Sequence, residues 1–282
     1  MKGVRSNLDR ATSRRGFLQR AGLVGLAAGG ATLASGMTFG TAFAHGQEEE
    51  NGAADRTLDI FNGALTAEQL AVTFYYNGLQ ANATVFVDVL SPDHLHYFQA
   101  ALWEEHRHAQ LFAAVGGSSL AGPAPQFFFP SDSFTVQHTF LAVLSALEDA
   151  FIGAYLAAVG DWSRNESRAR ETVPEGFKAS QLAQIAAQIM GVEAEHRVLG
   201  RDVDNQKVPN NRILEEALFR SIGTVANHTG TAVGALLPFV TGGAGFSAMA
   251  LPLPNDGQVI AAATSATIAA LENDFPGGLA KP

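Results

Sequence analysis

The stretch WEEHRHAQLF, residues 103–112, sets Glu104, Glu105, His106 and His108 into a largely apolar run. Charged residues on a helix most often form nothing more than a solvated face, so the pair Glu105 and His108 has two readings. Spaced i and i+3, the two share one helix face and can point to a common centre. A single pair does not separate ligands from surface decoration. The stripes around it do.

Residues 55–204 carry apolar side chains at helical period almost throughout. The first stripe reads Leu58, Phe61, Leu65, Glu68, Val72, Tyr75 and Leu79. A second helix opens at Ser91-Pro92-Asp93, a hydroxyl cap followed by a first-turn proline, and reads Leu95, Phe98, Leu102, Glu105, His108 and Phe112. A third, starting near Asp132 or Ser133, carries Leu141, Leu144, Glu148, Phe151, Tyr155 and Val159. A fourth, from about Phe177, carries Leu182, Ile185, Ile189, Glu193, His196 and Val203. Each helix aims one glutamate along its apolar face.

Buried carboxylates are costly, and charged residues are rarely fully buried unless paired or bound to metal. One glutamate would mark the exposed edge of a stripe. Four, two of them followed at i+3 by histidine, do not fit that explanation. The chain has no cysteine, so a metal site here must be built from carboxylates and imidazoles. Oxygen and nitrogen donors suit iron or manganese, and nothing favours copper(I).

With the set Glu68, Glu105-x-x-His108, Glu148 and Glu193-x-x-His196, the chain resembles the ferritin-like superfamily. It is most similar to the exported ferritin-like proteins, a group that includes desiccation-related proteins. The resemblance covers residues 55–204 and is also an internal repeat: Tyr75 and Tyr155 each follow the glutamate of their helix by seven residues. It implies an all-α, antiparallel four-helix bundle with one long crossover between its second and third helices. It further implies two iron ions, or manganese, held by Glu68, Glu105, His108, Glu148, Glu193 and His196. Tyr75 and Tyr155 become residues beside the centre, core aromatics in the first instance, that could gate electrons to it. The partners implied are metal ions with O2 or peroxide, in a di-iron oxidase or ferroxidase, or a manganese catalase-like enzyme. The alternative is a stress- or desiccation-associated binding protein with little or no turnover.

The connections agree with a crossover. Gly116 to Pro130, GGSSLAGPAPQFFFP, is broken by glycine and proline. At most about 50 Å of extended chain is enough to run back along a bundle of about 35–45 Å. The three phenylalanines Phe127–Phe129 are expected to pack along the bundle. Other polar residues have plain readings. His94 lies about 16 Å along the axis from Glu105, too far to share its metal. His96, His106 and His138 are off the stripe, as surface residues or neighbours of the ligands, and Glu104 and Glu195 are out of phase and expected on solvated faces. Beyond Pro209 the pattern predicts a helix over Asn211–Val225 and another over Val259–Leu271. Between them, AVGALLPFVTGGAGFSAMALPLP could close an end of the bundle, form an oligomer interface or shape substrate access.

The N-terminus reads differently. Ser13-Arg14-Arg15-Gly16-Phe17-Leu18-Gln19 is a twin-arginine signature, and a Gly/Ala-rich apolar stretch after it ends in Ala42-Phe43-Ala44. The apolar run is about long enough to span a bilayer, but its glycines and small-x-small end predict cleavage before His45. The expectation is a signal peptide over 1–44, a linker over 45–54, the bundle over 55–204 and an extension over 205–282. Export would engage the Tat translocase and deliver the protein to the periplasm or the medium. The leader takes six basic residues and one acid with it, leaving 12 basic and 26 acidic residues and a formal charge of −14, against −9 for the whole chain. Such a surface repels nucleic acid and attracts cations. Association into a homo-oligomer stays open.

Overall fold

The computed structural model describes residues 57–85, 90–164, 177–206 and 208–274. The expected signal peptide and linker lie outside the described residues. Four long helices dominate: α1 (Thr57–Val85), α2 (Pro92–Ala114), α3 (Gln137–Arg164) and α4 (Ala179–Val203). They form the all-α bundle. The crossover contains β1 (Gln126–Phe127), and after the bundle come α5 (Ala232–Thr241), β2 (Leu251–Pro252), α6 (Asp256–Ala263) and α7 (Ser265–Asp274).

Ring contacts fix the directions of the helices. Phe61 near the start of α1 meets Phe112 near the end of α2 at 6.1 Å, and Tyr75 meets Phe98 at 6.1 Å, so α1 and α2 are antiparallel. Phe61 also meets Trp162 of α3 at 6.0 Å, while Phe74 stacks on Phe140 at 4.5 Å, so α1 and α3 are antiparallel too. Thus α2 and α3 run the same way, and the chain must return the full length of the bundle between them. It does so through 115–136, from Gly117 beside Phe61 to Phe129 and Phe134 beside Phe74. Phe127 and Phe129 are buried while Phe128 is half-buried, the alternation of an extended strand.

Ser91 caps α2 as its sequence suggests, accepting from the His94 N–H. The start of α3 differs from expectation. Asp132 has φ 66°, outside the helical region, and Ser133 turns back to donate to the Pro130 carbonyl at 2.6 Å, so the helix begins only at Gln137. Close approach has its own requirement at Gly78, where a Cβ would lie 2.6 Å from the Phe140 ring, itself pinned by Phe74. Glycine there lets α1 reach α3.

The extension wraps the bundle rather than standing apart. β1 and β2 pair antiparallel, Gln126 opposite Pro252, and join the crossover to the extension. α5 packs with Leu236 and Phe239 in the core, and α6 and α7 lie on α2. The apolar stretch thus packs against the bundle, which by itself selects none of the three roles open to it. The helix expected over Asn211–Val225 does not form: the segment is irregular. Its apolar side chains serve tertiary contacts instead, Leu218 and Phe219 against Gly153 and Ile222 against Gly63. An extended segment covers about twice the distance of a helix per residue, and side chains on the bundle fix it. The expected helix over Val259–Leu271 is split in two at Thr264, whose φ is 63°.

Candidate metal centre

Each bundle helix brings its stripe glutamate to the middle of the core: Glu68 from α1, Glu105 from α2, Glu148 from α3 and Glu193 from α4. None is more than 2% exposed. One turn on, His108 and His196 project from α2 and α4 to the same place. His108 Nδ1 lies 3.4 Å from Glu68, 3.7 Å from Glu193 and 3.8 Å from Glu105. His196 Nδ1 lies 3.0 Å from Glu105, 3.3 Å from Glu193 and 3.9 Å from Glu148. The structure thus brings all six sequence-identified residues together.

They form two overlapping groups. Glu68, Glu105, His108 and Glu193 offer donor atoms within 4.8 Å of one another, and so do Glu105, Glu148, Glu193 and His196. Glu105 and Glu193 belong to both. That is the arrangement expected of two positions sharing a pair of carboxylates.

The two tyrosines do more than fill the core. The Tyr75 hydroxyl donates to Glu148 Oε1 at 2.6 Å, and the Tyr155 hydroxyl donates to Glu68 Oε1. Each therefore crosses to the glutamate of the other half and holds one carboxylate oxygen. Burial, then the carboxylate each tyrosine faces, raises both phenols well above their ordinary range, so they stay protonated donors. Phe98 and Phe112 lie against them at 6.1 and 6.2 Å.

What remains unsatisfied is specific. Among the described residues, twelve buried side-chain polar atoms have no hydrogen-bond partner, and eight of them belong to the six residues of this cluster. They include both oxygens of Glu105 and of Glu193, one each of Glu68 and Glu148, and Nδ1 of both histidines. Buried polar atoms are ordinarily paired, so a convergent set of orphans marks a place built for something else. Burial, and then the Glu68 carboxylate, holds Glu105 above the usual carboxylate range. Burial with Glu193 raises Glu148 well above it, and burial with Glu105 raises Glu193. Burial disfavours charge on the imidazoles too, but the carboxylates outweigh it. Glu68 and Glu105 raise His108, and the hydrogen bond to Glu104 with the nearby Glu105 and Glu193 carboxylates raises His196. Lacking cations, such a cluster takes up protons in their place. Four carboxylates match the charge of two divalent ions, and the donor set fits iron or manganese.

Sequence reasoning missed one member. Glu104, assigned to a solvated face, accepts from His196 Nε2 at 2.9 Å and is only partly exposed. Burial alone would raise its carboxyl, but the hydrogen bond to His196 wins and holds it below the usual range. Its position, one residue off the stripe, concealed it; the Glu104-Glu105 doublet was the available signal. The remaining polar residues divide. Glu195, His96 and His138 are exposed, as expected of off-stripe residues. His94 meets Asp202 at 2.9 Å, away from the centre. His106 is neither a surface residue nor a neighbour of the ligands: it is buried beneath α6, with Trp103 at 5.4 Å and Gln110 at 2.9 Å.

A family model described as ferritin-like domain matches residues 56–206. Comparison with curated proteins and with solved structures returns no match.

Proposed function

The chain belongs to the ferritin-like domain family, and from that premise we propose that it is an exported metalloprotein binding two iron or manganese ions for redox chemistry on O2 or peroxide. The observation that carries this reading is the convergence of eight unpartnered buried donor atoms in the middle of the bundle. Glu105 and Glu193 would hold both ions, Glu68 and His108 completing one position, Glu148 and His196 the other. Two such ions supply two electrons together, the number that reduces O2 to peroxide or peroxide to water. Disproportionation of two peroxides into O2 and two waters balances with no further reductant.

The chain's own part follows from its contacts. Tyr75 and Tyr155 each hold one oxygen of a terminal glutamate and leave the other facing the centre. Phe98 and Phe112, buried against them, add apolar cover on that side of the centre. The direct test is elemental analysis of the full chain, purified without chelator after growth with iron and manganese, together with O2 and peroxide consumption. Two equivalents of metal and turnover are expected. Metal without turnover favours the stress-associated binding protein, and a folded protein with no metal overturns both.

Export rests on Arg14-Arg15 and the Ala42-Phe43-Ala44 end. Arg14→Lys with Arg15→Lys is expected to leave the protein in the cytoplasm, while the exported wild type begins at or near His45. Exported protein whose N-terminal sequence still holds the arginine pair would sink this part of the proposal.

A further inference from the structure

The two halves of the bundle repeat, so each residue of the centre has a counterpart: Glu68 and Glu148, Glu105 and Glu193, His108 and His196, Tyr75 and Tyr155. The repeat fails at the residue just before each shared glutamate. It is Glu104 in one half and Val192 in the other.

That difference reaches the histidines. His196 presents Nδ1 to the cluster and is held from behind at Nε2 by Glu104, 2.9 Å away. A carboxylate only accepts, so Nε2 keeps its proton and Nδ1 is the nitrogen free to bind metal. His108 also presents Nδ1, and among the described residues every ion pair of its ring runs through that atom. Among the described residues, no carboxylate pairs with its Nε2. Its side chain is 14% exposed against 5% for His196.

A carboxylate behind a ligating imidazole fixes the tautomer, orients the ring and raises the basicity of the other nitrogen. Only one position in this centre has that support. Because both positions share Glu105 and Glu193, the terminal residues alone distinguish them. We infer that Glu104 is a positioning residue that makes the two metal positions unequal. The position of Glu148 and His196 takes up its ion first and holds it tightly, and that of Glu68 and His108 loads second and exchanges first. The inference rests on the two-metal reading above.

The test is titration of the full-length exported protein with Mn2+ alone, following bound metal by electron paramagnetic resonance and by dialysis against a weak chelator. The wild type should bind in two steps and retain one ion when the second has left. Glu104→Gln, which keeps the size and loses the charge, should weaken the tight step about 10–100-fold and leave the weak step in place. Glu104→Val, the residue of the other half, should bring the two steps together. Circular dichroism and the unchanged weak step show that either variant is folded. Two equal steps in the wild type, or an unaltered tight step in folded Glu104→Gln, overturn this inference while leaving the two-metal reading intact. A wild type that binds neither Mn2+ nor, in a parallel anaerobic titration, Fe2+ overturns the two-metal reading itself.

Discussion

Two polar clusters lie side by side on α3 and α4, and they are built on opposite plans. In the centre, among the described residues, the four glutamates form ion pairs only with histidines. In the other cluster, Arg197 bonds Asp149 at 3.0 Å and Glu215 at 2.6 Å, and Arg212 reaches Asp149 and Glu216. The first leaves its acidity uncompensated in the core, whereas the second nearly neutralises itself and ties the extension to the bundle. The chain assigns neighbouring residues to different clusters: Glu148 and His196 to the centre, Asp149 and Arg197 to the tie. One helical step of about 100° is enough to separate them. A buried cluster that closes its own charges is structural, and one that does not could hold cations from outside.

The largest effect expected from this contrast is at Glu105. Because it serves both groups of donors, Glu105→Ala should strip both metal equivalents, read by elemental analysis. The stability gap between metal-loaded and chelated protein should collapse with it. That gap is worth about 2.7 kcal/mol per ion at a metal concentration 100 times Kd. A variant that kept both ions would place the shared carboxylates elsewhere.

The tie should respond in stability instead. Glu215→Ala removes one of two carboxylates from the buried Arg197 guanidinium and should cost about 1.5–3 kcal/mol in urea unfolding, with metal content unchanged at saturating metal. Equal loss of metal would show that the two clusters are one. Smallest is His106→Ala, which lies between its liganding neighbours yet turns to α6. It should retain both ions and cost about 1 kcal/mol for the lost Gln110 hydrogen bond. Metal loss there would tie α6 to the centre.

Legibility followed the same division. The four helices and the six central residues stood in the sequence because α-helical geometry converts spacing into a face, and a glutamate on an apolar face contradicts its surroundings wherever the helix docks. Tyr75 and Tyr155 were visible as a repeat, but not as donors to the opposite half, since that depends on where the other helix places its glutamate. Glu104 was hidden because its partner lies 92 residues away on α4.

The extension resisted reading for another reason. Asn211–Val225 has enough apolar residues for a helix, yet it follows the surface of the bundle as an irregular segment. Arg212, Glu215, Leu218 and Ile222 each find a contact at a different place on α1, α3 or α4. Local propensity is worth tenths of a kcal/mol per residue, and such contacts exceed it. Sequence alone determined the bundle, its crossover and its acidic interior, because periodicity is a local property of the chain. Only the tertiary structure decided which carboxylate backs which histidine and where the extension lies, because those pairings join residues that no local pattern connects.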